Sequence, residues 1–147
     1  LLSKTHRRLF DYPVIGITGS NGKTIVKEWL FQSLSDEYHI VRSPKSYNSQ
    51  IGVPLSVWQM RPEHTLGIFE AGISTSEEMQ HLQSVIQPQI GILTFIGDAH
   101  DEGFENQSEK IAEKLKLFID AKVLIYCSDN EFVNQCVQQY IDKHEYV

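Results

Sequence analysis

A glycine-rich loop near the start of the chain has the residue types that bind nucleotide phosphates. It reads TGSNGKT over residues 18–24, follows the apolar run Val14–Thr18 and precedes a helical pattern. Glycines let backbone N–H groups turn inward, and a helix N-terminus adds partial positive charge, so such a loop can hold phosphate oxygens. Lys23 would then reach the β- and γ-phosphates, and the Thr24 hydroxyl would reach Mg²⁺. The predicted phosphate-binding residues are Gly19, Ser20, Asn21, Gly22, Lys23 and Thr24.

The loop departs at one position from the common P-loop pattern, which has a glycine five residues before Gly22. Ile17 occupies that position, and Gly16 lies one residue too early. A glycine-rich turn that only caps a helix is the alternative interpretation. The GKT sequence at a strand-to-helix junction favours phosphate binding over that alternative.

Two further polar residues follow apolar runs, where a metal could bind. Glu70 ends the run Leu66–Glu70, and His100 follows the run Ile90–Ile96. A lone buried carboxylate is costly unless a cation compensates its charge, and a neutral imidazole can ligate a metal. The pattern leaves two alternatives open, which are a solvent-facing glutamate and a surface histidine.

Lys114 and Asn48 have weaker positional signals. Lys114 lies in an amphipathic segment whose spacing, taken alone, predicts the solvated face of a helix. Its charged neighbours on that face are Glu109, Lys110 and Glu113. Asn48 and Gln50, in the loop after the second apolar run, could bond to a nucleotide or satisfy the backbone of a turn.

The order of apolar and amphipathic runs predicts an α/β fold. The predicted strands are Val14–Thr18, Tyr38–Val41, Leu66–Glu70, Ile90–Ile96 and Val123–Cys127. The predicted helices are Lys23–Ser35, Val53–Met60, Ser76–Ile86, Ser108–Asp120 and Glu131–His144. Such alternation predicts a mostly parallel sheet layered with helices, with ligands beyond the carboxyl ends of the strands.

Composition excludes several function classes. The 147 residues are 41% hydrophobic and 22% charged, as in one soluble globular domain. A net charge of −6 would repel nucleic acid, and no apolar run approaches the ~20 residues of a membrane helix. Cys127 and Cys136 form no CxxC or Cys/His cluster, which argues against disulfides or zinc and favours a reducing cytoplasm.

The ends of the chain suggest a piece of a longer protein. The sequence begins at Leu1 without a methionine and ends directly after a helical pattern. We expect residues 1–12 to be a linker from a preceding domain and residues 13–147 to be a truncated nucleotide-binding domain.

Several motifs, taken in order, resemble the ATP-binding central domain of the Mur ligases. Besides the loop at 18–24, they are VKE at 26–28, YNSQIGVPL at 47–55, EAG at 70–72 and AHDEGF at 99–104. The VKE and IGVPL runs are most similar to the member that adds D-alanyl-D-alanine. The resemblance covers about residues 14–130 and implies a three-layer fold with ATP and Mg²⁺ as cofactors.

The resemblance also implies roles for individual residues. Glu70 would share one Mg²⁺ with Thr24, and His100 would ligate a second. Lys114, fourteen positions after His100, matches the family's carbamylated lysine, a metal ligand that acts in catalysis with Lys23 and His100. Asn48 is the one nucleotide contact carried over, because KSYNS at 45–49 replaces the usual GNFNN. CSDN at 127–130 likewise replaces NADN.

The implied activity is peptide ligation in peptidoglycan precursor synthesis. ATP would phosphorylate the carboxylate of UDP-MurNAc-tripeptide, and the amine of D-Ala-D-Ala would attack the acyl phosphate. We expect a cytoplasmic monomer with no nucleic-acid or membrane partner, and no activity from this piece alone. The alternatives are another ligase of the superfamily, such as folylpolyglutamate synthase, and a nucleotide-binding module without catalysis.

Overall fold

Among the residues that the structure describes, five strands form one parallel sheet. The computed structural model describes residues 2–97 and 103–144. The strands are β1 (Val14–Thr18), β2 (Ile40–Arg42), β3 (Leu66–Glu70), β4 (Ile90–Leu93) and β5 (Val123–Tyr126). Their spatial order is β2-β3-β1-β4-β5, and every neighbouring pair is parallel. The predicted α/β class is confirmed.

Six α-helices and one 3₁₀ turn surround the sheet within the described residues. They are α1 (Leu2–Arg7), α2 (Lys23–Leu34), α3 (Gly52–Val57), α4 (Glu78–Ile86), α5 (Gln107–Leu115), the 3₁₀ turn Lys116–Phe118, and α6 (Glu131–His144). No helix in the described ranges has both the length and the apolar character needed to cross a membrane.

The helices form layers on both faces of the sheet because side chains alternate along each strand. Ile15 and Ile17 of β1 pack with Leu30 and other apolar residues of α2. Val14 and the rest of the larger core lie on the opposite face with α3, α4, α5 and α6. Burial on both faces explains why β1 and β3 have continuous apolar runs.

Some element boundaries differ from the sequence-based prediction. β4 ends at Leu93 rather than Ile96, because the Thr94 hydroxyl donates to Thr18 O and Asn21 O, and Phe95 O accepts the Ser20 N–H. The predicted helix 108–120 is divided into α5 and the 3₁₀ turn, α4 begins at Glu78, α3 ends at Val57, and β2 is Ile40–Arg42.

Helix α1 was not predicted and packs against α3 and α4. Its Arg7 is 4% exposed. The Arg7 guanidinium donates to Ile86 O at 2.8 Å, Phe10 O at 2.8 Å and Gln87 O at 3.1 Å. Arg7 therefore joins the start of the chain to the end of α4.

The strand register brings three chain segments to one edge of the sheet. Ile17 pairs with Glu70, and Thr18 pairs with Leu93. The carboxyl ends of β1, β3 and β4 therefore lie side by side, at the edge where ligands of parallel sheets bind.

Candidate nucleotide and metal site

The glycine-rich loop lies between β1 and α2, as the sequence predicts. Gly19 has φ 149° and Gly22 has φ 86°, and both values favour glycine. A Cβ on Gly19 would also overlap Thr94 Oγ1. Gly22 is the N-cap of α2, so Lys23 and Thr24 occupy the first turn of that helix.

The loop fits an anion through two features. Lys23 Nζ donates to Gly19 O at 2.8 Å and to Ser20 O at 3.3 Å, so its ammonium lies over the loop. Ser20 Oγ is buried and has no hydrogen-bond partner among the described residues. A buried hydroxyl without a partner is costly, and a phosphate oxygen above the loop would satisfy it. Asn21 joins the loop to the end of β4, because its carbonyl accepts the Thr94 hydroxyl.

Glu70 meets the phosphate loop at the carboxyl end of β3. Its side chain is fully buried, so the solvent-facing alternative is wrong. The Thr24 hydroxyl donates to Glu70 Oε2 at 2.9 Å, and Lys27 Nζ lies 3.1 Å from Glu70 Oε1. Thr24 and Glu70 thus place two oxygen ligands together, which are the ligands that Mg²⁺ prefers.

These two oxygens fit a metal that is shared with phosphate. Among the described residues no group of three His, Cys, Asp or Glu side chains could hold a metal ion by itself. Mg²⁺ commonly uses one or two protein ligands together with substrate phosphates and water. The Thr24–Glu70 pair beside the loop matches that mode. His100 lies outside the described residues.

Lys114 is buried beside the phosphate loop. It is 3% exposed, and its Nζ lies 3.4 Å from Gly19 O. The prediction of a solvated helix face was therefore wrong for Lys110, Glu113 and Lys114, which are all buried. The reason is tertiary: Glu113 accepts the Met79 N–H at the start of α4, and Lys110 Nζ lies 3.4 Å from Gly97 O.

Asn48 lies against the chain that follows Glu70. Its backbone carbonyl accepts the Gly72 N–H at 2.7 Å, and a Cβ on Gly72 would lie 2.9 Å from the side-chain oxygen Asn48 Oδ1. The loop that carries Asn48 is thereby held at the edge of the site. Gln50 instead donates to Glu78 O at 3.1 Å, which is the backbone-satisfying role considered as its alternative.

Lys27 belongs to the VKE run at 26–28, from which no role for it was predicted. In the structure it lies at the centre of the site, beside Glu70. It is fully buried and contacts Glu70, Glu28, Ser43 O and Lys45 O. The sequence could have indicated that Lys27 lies near the site, because residues three apart in a helix share a face and Lys27 follows Thr24 by three.

An apolar groove of about 510 Å³ adjoins the loop. Side chains of α2, β4, β5 and the segment after β4 line it, including Ile25, Trp29, Ile92, Phe95 and Ile125. Trp29 is 65% exposed and Phe95 is 64% exposed. Such a surface beside a phosphate loop can accept a planar apolar group.

Comparison with known proteins identifies the family of the chain. The family model of the Mur ligase middle domain matches residues 17–146. Two relatives are UDP-N-acetylmuramoyl-tripeptide--D-alanyl-D-alanine ligases. The ligase of Treponema pallidum is 43% identical over 102 residues, which are 69% of this chain and 22% of that protein. The ligase of Borreliella burgdorferi is 37% identical over 129 residues, which are 88% of this chain and 27% of that protein.

A solved structure has the same fold. MurF ligase from Thermotoga maritima in complex with ADP gives a TM-score of 0.84 at 25% identity and covers 95% of this chain and 33% of that one. The chain thus spans about a quarter of the length of the curated relatives quoted. Because the family model matches nearly the whole chain, the chain belongs to the Mur ligase middle-domain family.

Proposed function

We propose that this domain provides the ATP site of a ligase that adds D-alanyl-D-alanine to UDP-MurNAc-tripeptide in peptidoglycan precursor synthesis. The observation that carries the proposal is the convergence of Lys23, Thr24, Glu70 and Lys114 at one sheet edge in a chain of this family. The names of the quoted relatives support the choice of substrates.

The phosphate loop binds and orients ATP in this proposal. Lys23 exchanges its contacts with Gly19 O and Ser20 O for the β- and γ-phosphates, and Ser20 Oγ donates to a phosphate oxygen. The apolar groove beside the loop holds the base. The Thermotoga maritima structure of the same fold is a complex with ADP, which supports nucleotide binding by this fold. Asn48, held against Gly72 at the edge of the site, is a further nucleotide contact in this proposal.

Thr24 and Glu70 are the residues that would hold Mg²⁺. A bound Mg²⁺ offsets negative charge on the phosphoryl group during transfer. Lys23 supplies a fixed positive charge from the protein to the same group. The γ-phosphoryl group passes to the tripeptide carboxylate, and ADP leaves. The D-Ala-D-Ala amine then attacks the acyl carbon, an amide forms and phosphate departs, so no protein nucleophile is needed.

Lys114 is proposed to act as a carbamate. The neutral amine adds CO₂ and releases a proton, which turns a cationic side chain into an anionic oxygen ligand. Together with His100 this ligand would hold a second Mg²⁺. The burial of Lys114 and its place beside Gly19 support the assignment.

The two alternatives differ from the proposal in acceptor and in turnover. Another ligase of the superfamily would use the same ATP chemistry with another acceptor, and the names of the relatives favour D-Ala-D-Ala. A binding module would retain ATP without ligation. We also propose a cytoplasmic location, because the cytoplasm supplies ATP and both described cysteines are free.

Lys23→Ala in the full-length protein tests the proposal. Ligation, measured as ADP release that depends on both substrates, is expected to fall by roughly 10²–10³-fold, because one charge at the transferring group is lost. Lys122→Ala is the control, since Lys122 is an exposed lysine before β5. Activity within threefold of wild type in Lys23→Ala would contradict the loop assignment. ATP binding without ligation by the wild type would favour the binding module.

A further inference from the structure

The Glu70 carboxylate is paired with a cationic side chain, that of Lys27. We propose that Lys27 is a positioning residue that serves as the internal counter-ion of Glu70 and keeps the affinity for a free divalent cation low, so that the cation enters together with the phosphates of the nucleotide. This inference rests on the proposed role of Glu70 as a metal ligand.

The geometry gives each oxygen of the carboxylate a separate partner. Lys27 Nζ lies 3.1 Å from Glu70 Oε1, and both side chains are 0% exposed. The Thr24 hydroxyl donates to the other oxygen, Oε2, at 2.9 Å. A metal bound by Thr24 and Glu70 would therefore use Oε2, while Lys27 remains on Oε1.

Lys27 is fixed independently of Glu70. Its ammonium also donates to Ser43 O at 2.8 Å and to Lys45 O, and it lies 3.3 Å from Glu28 Oε1. An ammonium has three protons, and Ser43 O, Lys45 O and Glu70 Oε1 accept them. The positive charge therefore stays in place when Oε2 changes its partner.

The charges of Glu70, Lys27 and the nucleotide phosphates together determine the affinity of the site for a divalent metal ion. A buried carboxylate without a cation would attract a divalent ion strongly, because removal from water leaves its charge uncompensated. The Glu70–Lys27 pair has a net charge of zero, and the ammonium repels a second cation nearby. The phosphates of a nucleotide add several negative charges on the open side of the loop. The pair therefore favours a metal that arrives with nucleotide over one that arrives alone.

Mn²⁺ binding to the purified protein without nucleotide tests the inference. Electron paramagnetic resonance measures free Mn²⁺ directly, so the readout does not depend on activity. Lys27→Met removes the charge and keeps the length of the side chain. We expect it to tighten Mn²⁺ binding by about tenfold or more, the effect of removing one unit charge about 5–6 Å from a divalent ion at the dielectric constant of water.

Two matched variants separate charge from structure. Lys27→Arg keeps the charge and is expected to bind Mn²⁺ within threefold of wild type. The double variant Lys27→Met, Glu70→Gln removes the carboxylate and is expected to lose the gain entirely. A purely structural role for Lys27 predicts weaker or unchanged Mn²⁺ binding in Lys27→Met, and that result would overturn the inference. A gain that persists in the double variant would also overturn it.

Stability gives a second readout if Lys27→Met folds poorly, because it leaves Glu70 unpaired. We then expect Mn²⁺ without nucleotide to raise the unfolding midpoint of Lys27→Met clearly more than that of wild type. Equal shifts would refute the proposal. Wild-type binding of ATP with Mg²⁺, measured by calorimetry, keeps the two proposals apart. Its absence refutes the proposed function, whereas its presence with no gain in Lys27→Met refutes only the role of Lys27.

Discussion

Gly19→Ala is the most direct structural test of the phosphate loop. A methyl group at this position would overlap Thr94 Oγ1 and would lie 3.1 Å from Thr94 Cβ and 3.2 Å from Phe95 O. The Thr94 side chain cannot move away freely, because its hydroxyl donates to Thr18 O at 3.1 Å and to Asn21 O at 2.7 Å. The φ of 149° adds backbone strain for any residue other than glycine.

The magnitude follows from these contacts. Backbone strain at a φ of this kind costs about 1–3 kcal/mol. The single proton of the Thr94 hydroxyl is shared between its two carbonyl acceptors, and loss of this hydrogen bond costs about 0.5–1.5 kcal/mol. We therefore expect Gly19→Ala to lower the free energy of unfolding by about 1.5–4.5 kcal/mol and to displace the loop, so that ATP binding is lost.

Gly22→Ala is the matched control, because Gly22 also has a positive φ but its Cβ would meet Thr94 Cβ at an ordinary 3.9 Å. Gly22→Ala introduces backbone strain without a steric overlap, so we expect it to lower the free energy of unfolding by about 1–3 kcal/mol. Thr94→Ala should reduce the cost of Gly19→Ala, since it removes the overlapping hydroxyl. Urea denaturation of the wild type, the three single variants and the double variant Gly19→Ala, Thr94→Ala measures these costs. Equal costs at Gly19 and Gly22, or no relief by Thr94→Ala, would refute the reasoning.

Three further predictions concern buried and paired charges. In the full-length protein, Lys114→Ala is expected to lower ligation by roughly 10²–10³-fold, and Lys114→Arg is not expected to restore it, because a guanidinium does not form the carbamate. Steady-state turnover measures this, and near-normal turnover of Lys114→Arg would argue against the assignment. Arg7→Met is expected to lower the free energy of unfolding by about 2–4 kcal/mol, because buried carbonyls lose their donors; a loss below about 0.5 kcal/mol in urea denaturation would contradict this. Hydrogen bonds from Arg42 hold the pKa of Glu28 below its ordinary 4.5. Ionised Glu28 therefore stabilises the fold by about 0.5 kcal/mol at neutral pH. This contribution is lost as pH falls below 4.5 through the lower folded pKa, and the difference in unfolding free energy between wild type and Glu28→Gln should vanish there. A difference that is unchanged down to pH 3 would count against it.

Features that depend on neighbouring residues could be predicted from the sequence alone. The phosphate loop could be predicted because its glycines, Lys23 and the following helix are contiguous. The strands β1 and β3 could be predicted because burial on both faces leaves a continuous apolar run. The parallel arrangement could be predicted from the alternation of strands and helices, since parallel strands need a crossover connection, which is usually a helix.

Tertiary structure decided the features that join distant residues. The Lys27–Glu70 pair spans 43 positions, and the Arg7 bond to Ile86 O spans 79, so neither shows in a local pattern. The amphipathic spacing around Lys114 predicts a solvated lysine, because such spacing identifies the polar face of a helix but not what packs against that face. It is buried because its Nζ lies near Gly19 O, 95 positions away. Burial of a charge depends on which partner the fold supplies, and only the packed structure brings that partner within reach.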